Sequence, residues 1–280
     1  MITIARLTIG EAARKKVLWV LVILALVAVG LTGWGVERLV TVARAEGVEE
    51  LQVRFGVSQV LIFIAFMFGF VLVMTAAFFG SPAIATDLES GIAQAMLARP
   101  LRRSSYLLGR WLGLAAVIVV YALVSGLLAI AAVGFVSGYL PPDPILPVAY
   151  LAGQALVLLS FTVLLSTRLP PIAGGAIAVV LYGLAWMAGV LGKIGLALGT
   201  TSLVTASDAL RYLLPTDALW QGVVFGLEPS LIRNVVGDQF ARSSPFYADT
   251  PPSLAILAWS GIWVVLVLAL AVSQLRRREL

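Results

Sequence analysis

Six stretches of this chain run for about 20 residues or more without a single charged side chain: 17–36, 56–85, 111–142, 145–167, 169–192 and 251–275. Crossing the hydrocarbon core of a bilayer takes roughly 20 apolar residues. One charge at the centre of such a segment costs roughly 2.5–3.5 kcal/mol. Six uncharged windows in 280 residues therefore read as an all-α polytopic membrane protein, a single membrane domain over 1–280. The spans are expected near 17–36, 57–80, 108–136, 146–167, 171–192 and 253–275. Composition agrees: 61% of residues are hydrophobic, where soluble domains hold about 45–50%.

With six spans both ends lie on one side, and charge says which. The side holding the N-terminus, the 80–110 connection, the turn at Arg168 and the C-terminus carries 12 Lys/Arg against 4 Asp/Glu. The other side carries 7 against 10. The positive-inside rule places both termini in the cytoplasm. Arg14-Lys15-Lys16 and Arg276-Arg277-Arg278 bracket the bundle there. The apolar run after Lys16 is too long for a signal-peptide core, so it is expected to remain as a span. The basic excess then encodes orientation, and no nucleic-acid partner is expected.

The connections carry what remains. Residues 1–16 suit an interfacial elbow helix with Ile2, Ala5, Ile9, Ala12 and Ala13 on one face, although Ile4 and Leu7 depart from that face. Helix is expected to continue beyond the first span to about Gly47, ending in a charged external connection at 37–55. Four prolines in 138–147 make a rigid external turn, and Ser166-Thr167-Arg168-Leu169-Pro170-Pro171 a tight one that pairs spans four and five. The external segment 193–250 is too long for a plain loop. It is expected to hold an amphipathic helix ending at Pro215, then a short apolar helix capped by Thr216 or Asp217. That second helix would be re-entrant or interfacial, with Trp220 at the interface.

The most polar connection between two apolar segments is 80–113. Pro82 favours a break after span two. Asp87 and Glu89 are expected at the start of a new helix over 86–99, where acids complement the exposed N–H groups. Leu88, Ile92, Ala95 and Met96 give it an apolar face. Arg99, Arg102 and Arg103 are expected at the lipid surface, and Gly109 and Gly113 offer a small-xxx-small contact.

Several kinds of chemistry are disfavoured. There is no Cys and no His, which removes thiol catalysis and the commonest base and metal ligand. No metal site is expected. A Met67–Met74 pair is better read as packing. The one Gly-Lys pair, Gly192-Lys193, is followed by Ile194 and has Met187 where a phosphate loop needs Gly. No cofactor is expected on this chain and no enzymatic activity of its own. Asp208, Asp217 and Asp238 read as caps and solvated groups. A gradient-driven carrier would place ionisable groups within its spans, and a passive channel would show a polar stripe. Thr75, Gln154, Ser160 and Thr162 are the polar exceptions within the spans and read as helix–helix hydrogen bonds.

Glu89-x-Gly91, Ala98-Arg99-Pro100, Arg103 and Gly109-Arg110, in that order, resemble the cytoplasmic loop of the ABC-2 type ABC-transporter permeases. Ile92 stands where that family has Thr, and Arg110 where it has Lys. Leu214-Pro215-Thr216-Asp217-Ala218-Leu219-Trp220 resembles its bacterial members, and the six-span layout matches along the whole chain. The resemblance implies the permease half of an exporter. It would pair with a second permease chain, identical or not, and with two ABC ATPase subunits that supply ATP and Mg chemistry. It further implies that Asp87, Glu89, Gly91, Ile92, Met96 and Arg99 form a coupling helix that receives force from the ATPase. The competing expectation is a non-transporting assembly subunit that organises a larger membrane complex.

Overall fold

The computed structural model describes residues 1–92, 102–229, 244–248 and 250–278. Its elements are helices. They are α1 (Ile2–Arg14), α2 (Lys16–Ala45), α3 (Glu50–Gly80), α4 (Pro82–Glu89), α5 (Arg103–Ser137), α6 (Ile145–Ser166), α7 (Pro171–Leu198), α8 (Thr201–Leu213), α9 (Thr216–Leu227) and α10 (Leu254–Arg276). Six of these, α2, α3, α5, α6, α7 and α10, are long and apolar enough to cross a membrane. The protein is an all-helical membrane protein. At 1.5 Å per residue the 30 to 35 residues of α2, α3 and α5 extend about 45–52 Å, well past a hydrocarbon core of about 30 Å. Large apolar side chains such as Trp19, Phe78, Phe135 and Ile172 face outward, as a lipid solvent allows.

The bundle is built around α6. In its most apolar window 67% of residues are buried, against 17% for α2 and for α10. Helices α3, α5, α9 and α10 all pack on it. The polar residues of the spans serve these contacts. Gln154 Nε2 donates to Tyr182 Oη (3.2 Å) and to the Thr216 carbonyl (3.3 Å). Trp111 Nε1 donates to Ser160 Oγ at 3.0 Å, and Thr162 Oγ1 lies 3.4 Å from the Ala76 carbonyl. Each bond satisfies a group that hydrocarbon could not. Thr75 turns back to the Val71 carbonyl of its own helix at 2.7 Å.

Opposite the termini, α8 folds back along the last turns of α7. Gly192 leaves room for Ser207, and Gly195 for Leu203. The chain then reverses at Pro215 and α9 returns beside α6, its Gly222 against the ring of Tyr150. Helix α9 has 12 residues, about 18 Å, too short to span. It packs on α6, α3 and α7. Trp220, expected at a membrane interface, is instead 2% exposed, ringed by Phe66 and Phe246, with Nε1 bonded to the Pro245 carbonyl at 3.0 Å. The aromatic cluster outcompetes the interface because it buries the whole indole and still meets its one donor. The capping roles expected of Thr216 and Asp217 are not taken: the N-cap of α9 is Pro215, with no side-chain bond.

Candidate functional site

The site lies at the end of the bundle where α1, α4 and the start of α5 meet. Ser81 keeps helical angles (φ −65, ψ −38), so α4 continues almost directly from α3. Pro82 takes the first position of α4, where its missing N–H costs nothing. The new helix thus starts earlier than expected, and Asp87 and Glu89 stand at its C-terminal end, not at its start. Gly91 then adopts φ +74, the left-handed conformation that ends helices and that other residues rarely take. Ile92 follows with helical geometry; Met96 and Arg99 lie outside the described residues.

The turn of α4 has two sides. Ile84, Ala85 and Asp87 are buried against the bundle, while Thr86, Glu89, Ser90 and Ile92 are exposed. Asp87 is not alone. On α5, Tyr106 and Arg110 sit four residues apart and so share a face. The Tyr106 hydroxyl and the Arg110 guanidinium both donate to Asp87 Oδ2. Through its other terminal nitrogen, Arg110 donates to Glu11 of α1. The side chains of Arg110 and Asp87 are each 11% exposed, whereas that of Glu11 is 56% exposed. Three helices distant in sequence are thereby joined by one guanidinium. A fork of fixed donors suits this role better than a Lys ammonium would.

Small residues bring α1 close enough. A Cβ on Gly109 would lie 2.7 Å from Ile4 Cβ, and one on Gly113 would lie 2.6 Å from Thr8 Cβ and 2.7 Å from the Ala5 carbonyl oxygen. The expected contact of Gly109 and Gly113 is therefore made, and its partner is α1. This shifts the packed face of that helix from the expected one, of which Ala12 alone is buried. Ile4, Thr8 and Ala12 pack inward, while Ile2, Ala5 and Ile9 do not. Close approach selects the side whose residues fit two glycines, and lipid accepts the other side. A cavity of 260 Å³ between α1, α4 and α5 is lined in part by Glu11, Lys15, Asp87 and Arg110.

A second clamp closes the same end. Arg103, expected at the lipid surface, turns to the C-terminus of α10. It donates to the carbonyls of Leu275 (3.1 Å), Arg276 (2.9 Å) and Arg278 (2.7 Å). A guanidinium there satisfies carbonyls that have no helical partner and opposes the negative end of the helix dipole. Arg278 in turn donates to the Thr167 carbonyl at 2.7 Å, and Thr167 Oγ1 bonds Gln274 at 2.8 Å. Both termini and the α6–α7 turn are thus tied to one end of the bundle.

On the opposite end, Asp217 is neither a cap nor solvated. It is 3% exposed and accepts from Arg211 Nη2 at 2.9 Å and Nε at 3.1 Å. Asp208 stands 3.7 Å from the same guanidinium, and Asp238 lies outside the described residues.

A family model described as ABC-2 family transporter protein matches residues 2–280 of the chain. No curated protein matches it.

Proposed function

This chain belongs to the ABC-2 family of transporter proteins and is a membrane component of an ABC transporter; from that premise we propose that it is the permease subunit of an exporter, driven through the outward side of α4 and the turn after it. Energy comes from two ATPase subunits on the cytoplasmic side, where both termini lie. A second permease chain completes the pathway in a bacterial cytoplasmic membrane.

One observation carries this reading. Helix α4 and the turn after it expose Thr86, Glu89, Ser90 and Ile92, while the inner side of α4 is fastened through Asp87 to Arg110, which also holds Glu11. A push on the exposed tip is passed to the start of α5 and to α1 together. Glu89, Gly91 and Ile92, with Met96 and Arg99 beyond, are the residues proposed to meet the ATPase. Asp87, buried, positions them without touching the partner.

Co-purification in mild detergent, followed by ATPase assay, tests the proposal. The intact chain is expected to bring down a nucleotide-hydrolysing subunit. A Glu89→Ala, Gly91→Pro double variant is expected to lose it or to uncouple its activity. Recovery of other membrane proteins and no ATPase would instead identify an assembly subunit.

A further inference from the structure

Two apolar cavities flank α2. One, of 280 Å³, opens between α2, α3, α5 and α6. The other, of 380 Å³, lies open between α1, α2 and α5. Ala25, Val29, Tyr121 and Ser125 line both, so the two meet beneath α2.

The second cavity is a slot. Its walls run from Leu18 to Val29 on α2 and from Ala116 to Leu128 on α5, about 16 and 18 Å of helix rise. One leaflet of hydrocarbon is about 15 Å deep. The slot therefore has the depth of a single leaflet. Its hydroxyls are already engaged: Tyr121 donates to the Leu21 carbonyl at 3.0 Å, and Ser125 to the carbonyl of Tyr121. Water would find few partners there, and an empty slot would forfeit dispersion contacts along its whole length. A methylene chain meets both conditions.

Charge marks one mouth. Ala13 and Leu18 line the slot on either side of Arg14-Lys15-Lys16, the corner between α1 and α2. Lys15 is turned over the ring of Phe79, 5.2 Å from its centroid. Arg14 and Lys16 are exposed, and no ion pair among the described residues engages either one. Basic side chains beside an apolar slot, at the depth where snorkelling cations meet phosphates, complement an anionic headgroup.

We infer that this slot is a binding site for one anionic phospholipid, with an acyl chain between α2 and α5 and the phosphate at Arg14 and Lys16. The inference needs only that the chain sits in a membrane; it does not depend on coupling to an ATPase.

Native mass spectrometry of the protein released from nanodiscs of equal phosphatidylglycerol and phosphatidylcholine tests it. The intact protein is expected to retain one phosphatidylglycerol several-fold more often than phosphatidylcholine. Ala25→Phe and Ala116→Phe, which fill the slot, are each expected to abolish that retention. Val265→Trp, adding bulk on an exposed face of α10, is expected to leave it unchanged. Arg14→Gln, Lys16→Gln is expected to keep a lipid but lose the preference. Both side chains are exposed, so this variant decides the question even where the filled slots do not fold. No retained lipid in the intact protein, equal retention in the filled variants, or an undiminished preference in the double variant would each overturn the site.

Discussion

Arg110 holds Asp87 across 23 residues of sequence, and both side chains lie in the packed junction of α4 with α5. The same guanidinium extends to Glu11, so a single side chain ties α1, α4 and α5 together.

Removing one partner of a buried pair leaves the other charge uncompensated, at a cost of about 3–5 kcal/mol. Asp87→Ala leaves Arg110 with the half-exposed Glu11, so a loss of about 2–3 kcal/mol is expected. Thermal unfolding in detergent reads this. Asp87→Leu, Arg110→Met removes both charges and is expected to recover part of the loss. A double variant less stable than the single one would show that the pair is not what holds the junction.

The exposed tip is expected to behave in the opposite way. Glu89→Lys and Ile92→Asp touch solvent-facing side chains, so unfolding should shift by no more than about 0.5 kcal/mol. Transport-linked ATP hydrolysis by the reconstituted complex is expected to fall. Unchanged hydrolysis in both variants would remove the tip from the proposed contact.

Two glycines of this region are needed for different reasons, and their variants should separate them. At Gly91 nothing would crowd a Cβ, but φ is +74. Gly91→Ala is expected to cost about 1 kcal/mol from backbone strain alone, and Gly91→Asn less. At Gly113 the backbone is ordinary helix and the space is not. Gly113→Val is expected to lift α1 off α5 and to speed tryptic cleavage at Arg14-Lys15-Lys16. Equal cleavage rates would contradict the close packing.

At the far end, Arg211→Gln strands the carboxylate of Asp217 inside the bundle, whereas Asp217→Asn removes the charge itself. The first is expected to destabilise by about 3 kcal/mol and the second by about 1. The ranking of the two unfolding midpoints is the check, and Trp220, three residues from Asp217, gives a local fluorescence signal.

Arg103→Met withdraws the donor from three carbonyls at the end of α10. Faster tryptic cleavage within Arg276-Arg277-Arg278 is expected, with little change in the melting of the bundle. Cleavage at the original rate would show that Arg278 and Gln274 alone hold this end.

The sequence by itself determined the number of spans, because an uncharged window of bilayer length has few alternatives. It also determined the helix beyond span one, which runs to Ala45, and the helical reading of the 193–250 segment where that is described. It marked Gly109 and Gly113 as a close-contact surface, and Gln154, Ser160 and Thr162 as helix-to-helix bonding groups. Each of these rests on local chemistry: length, spacing and side-chain type.

Only the tertiary structure decided the partners. Spacing puts Tyr106 and Arg110 on one face of α5, but nothing in it joins them to Asp87 or Glu11, since the four lie up to 99 residues apart on three helices. Arg103 read as a lipid-surface charge and Asp217 as a cap or solvated group because a single sequence cannot show which carbonyls or guanidinium another helix will bring. Trp220 and the packed face of α1 were misread for a related reason. In a bilayer the outer surface is as apolar as the core, so hydrophobicity does not say which face turns inward. Small-residue fit and polar satisfaction make that choice, and both exist only once the helices have met.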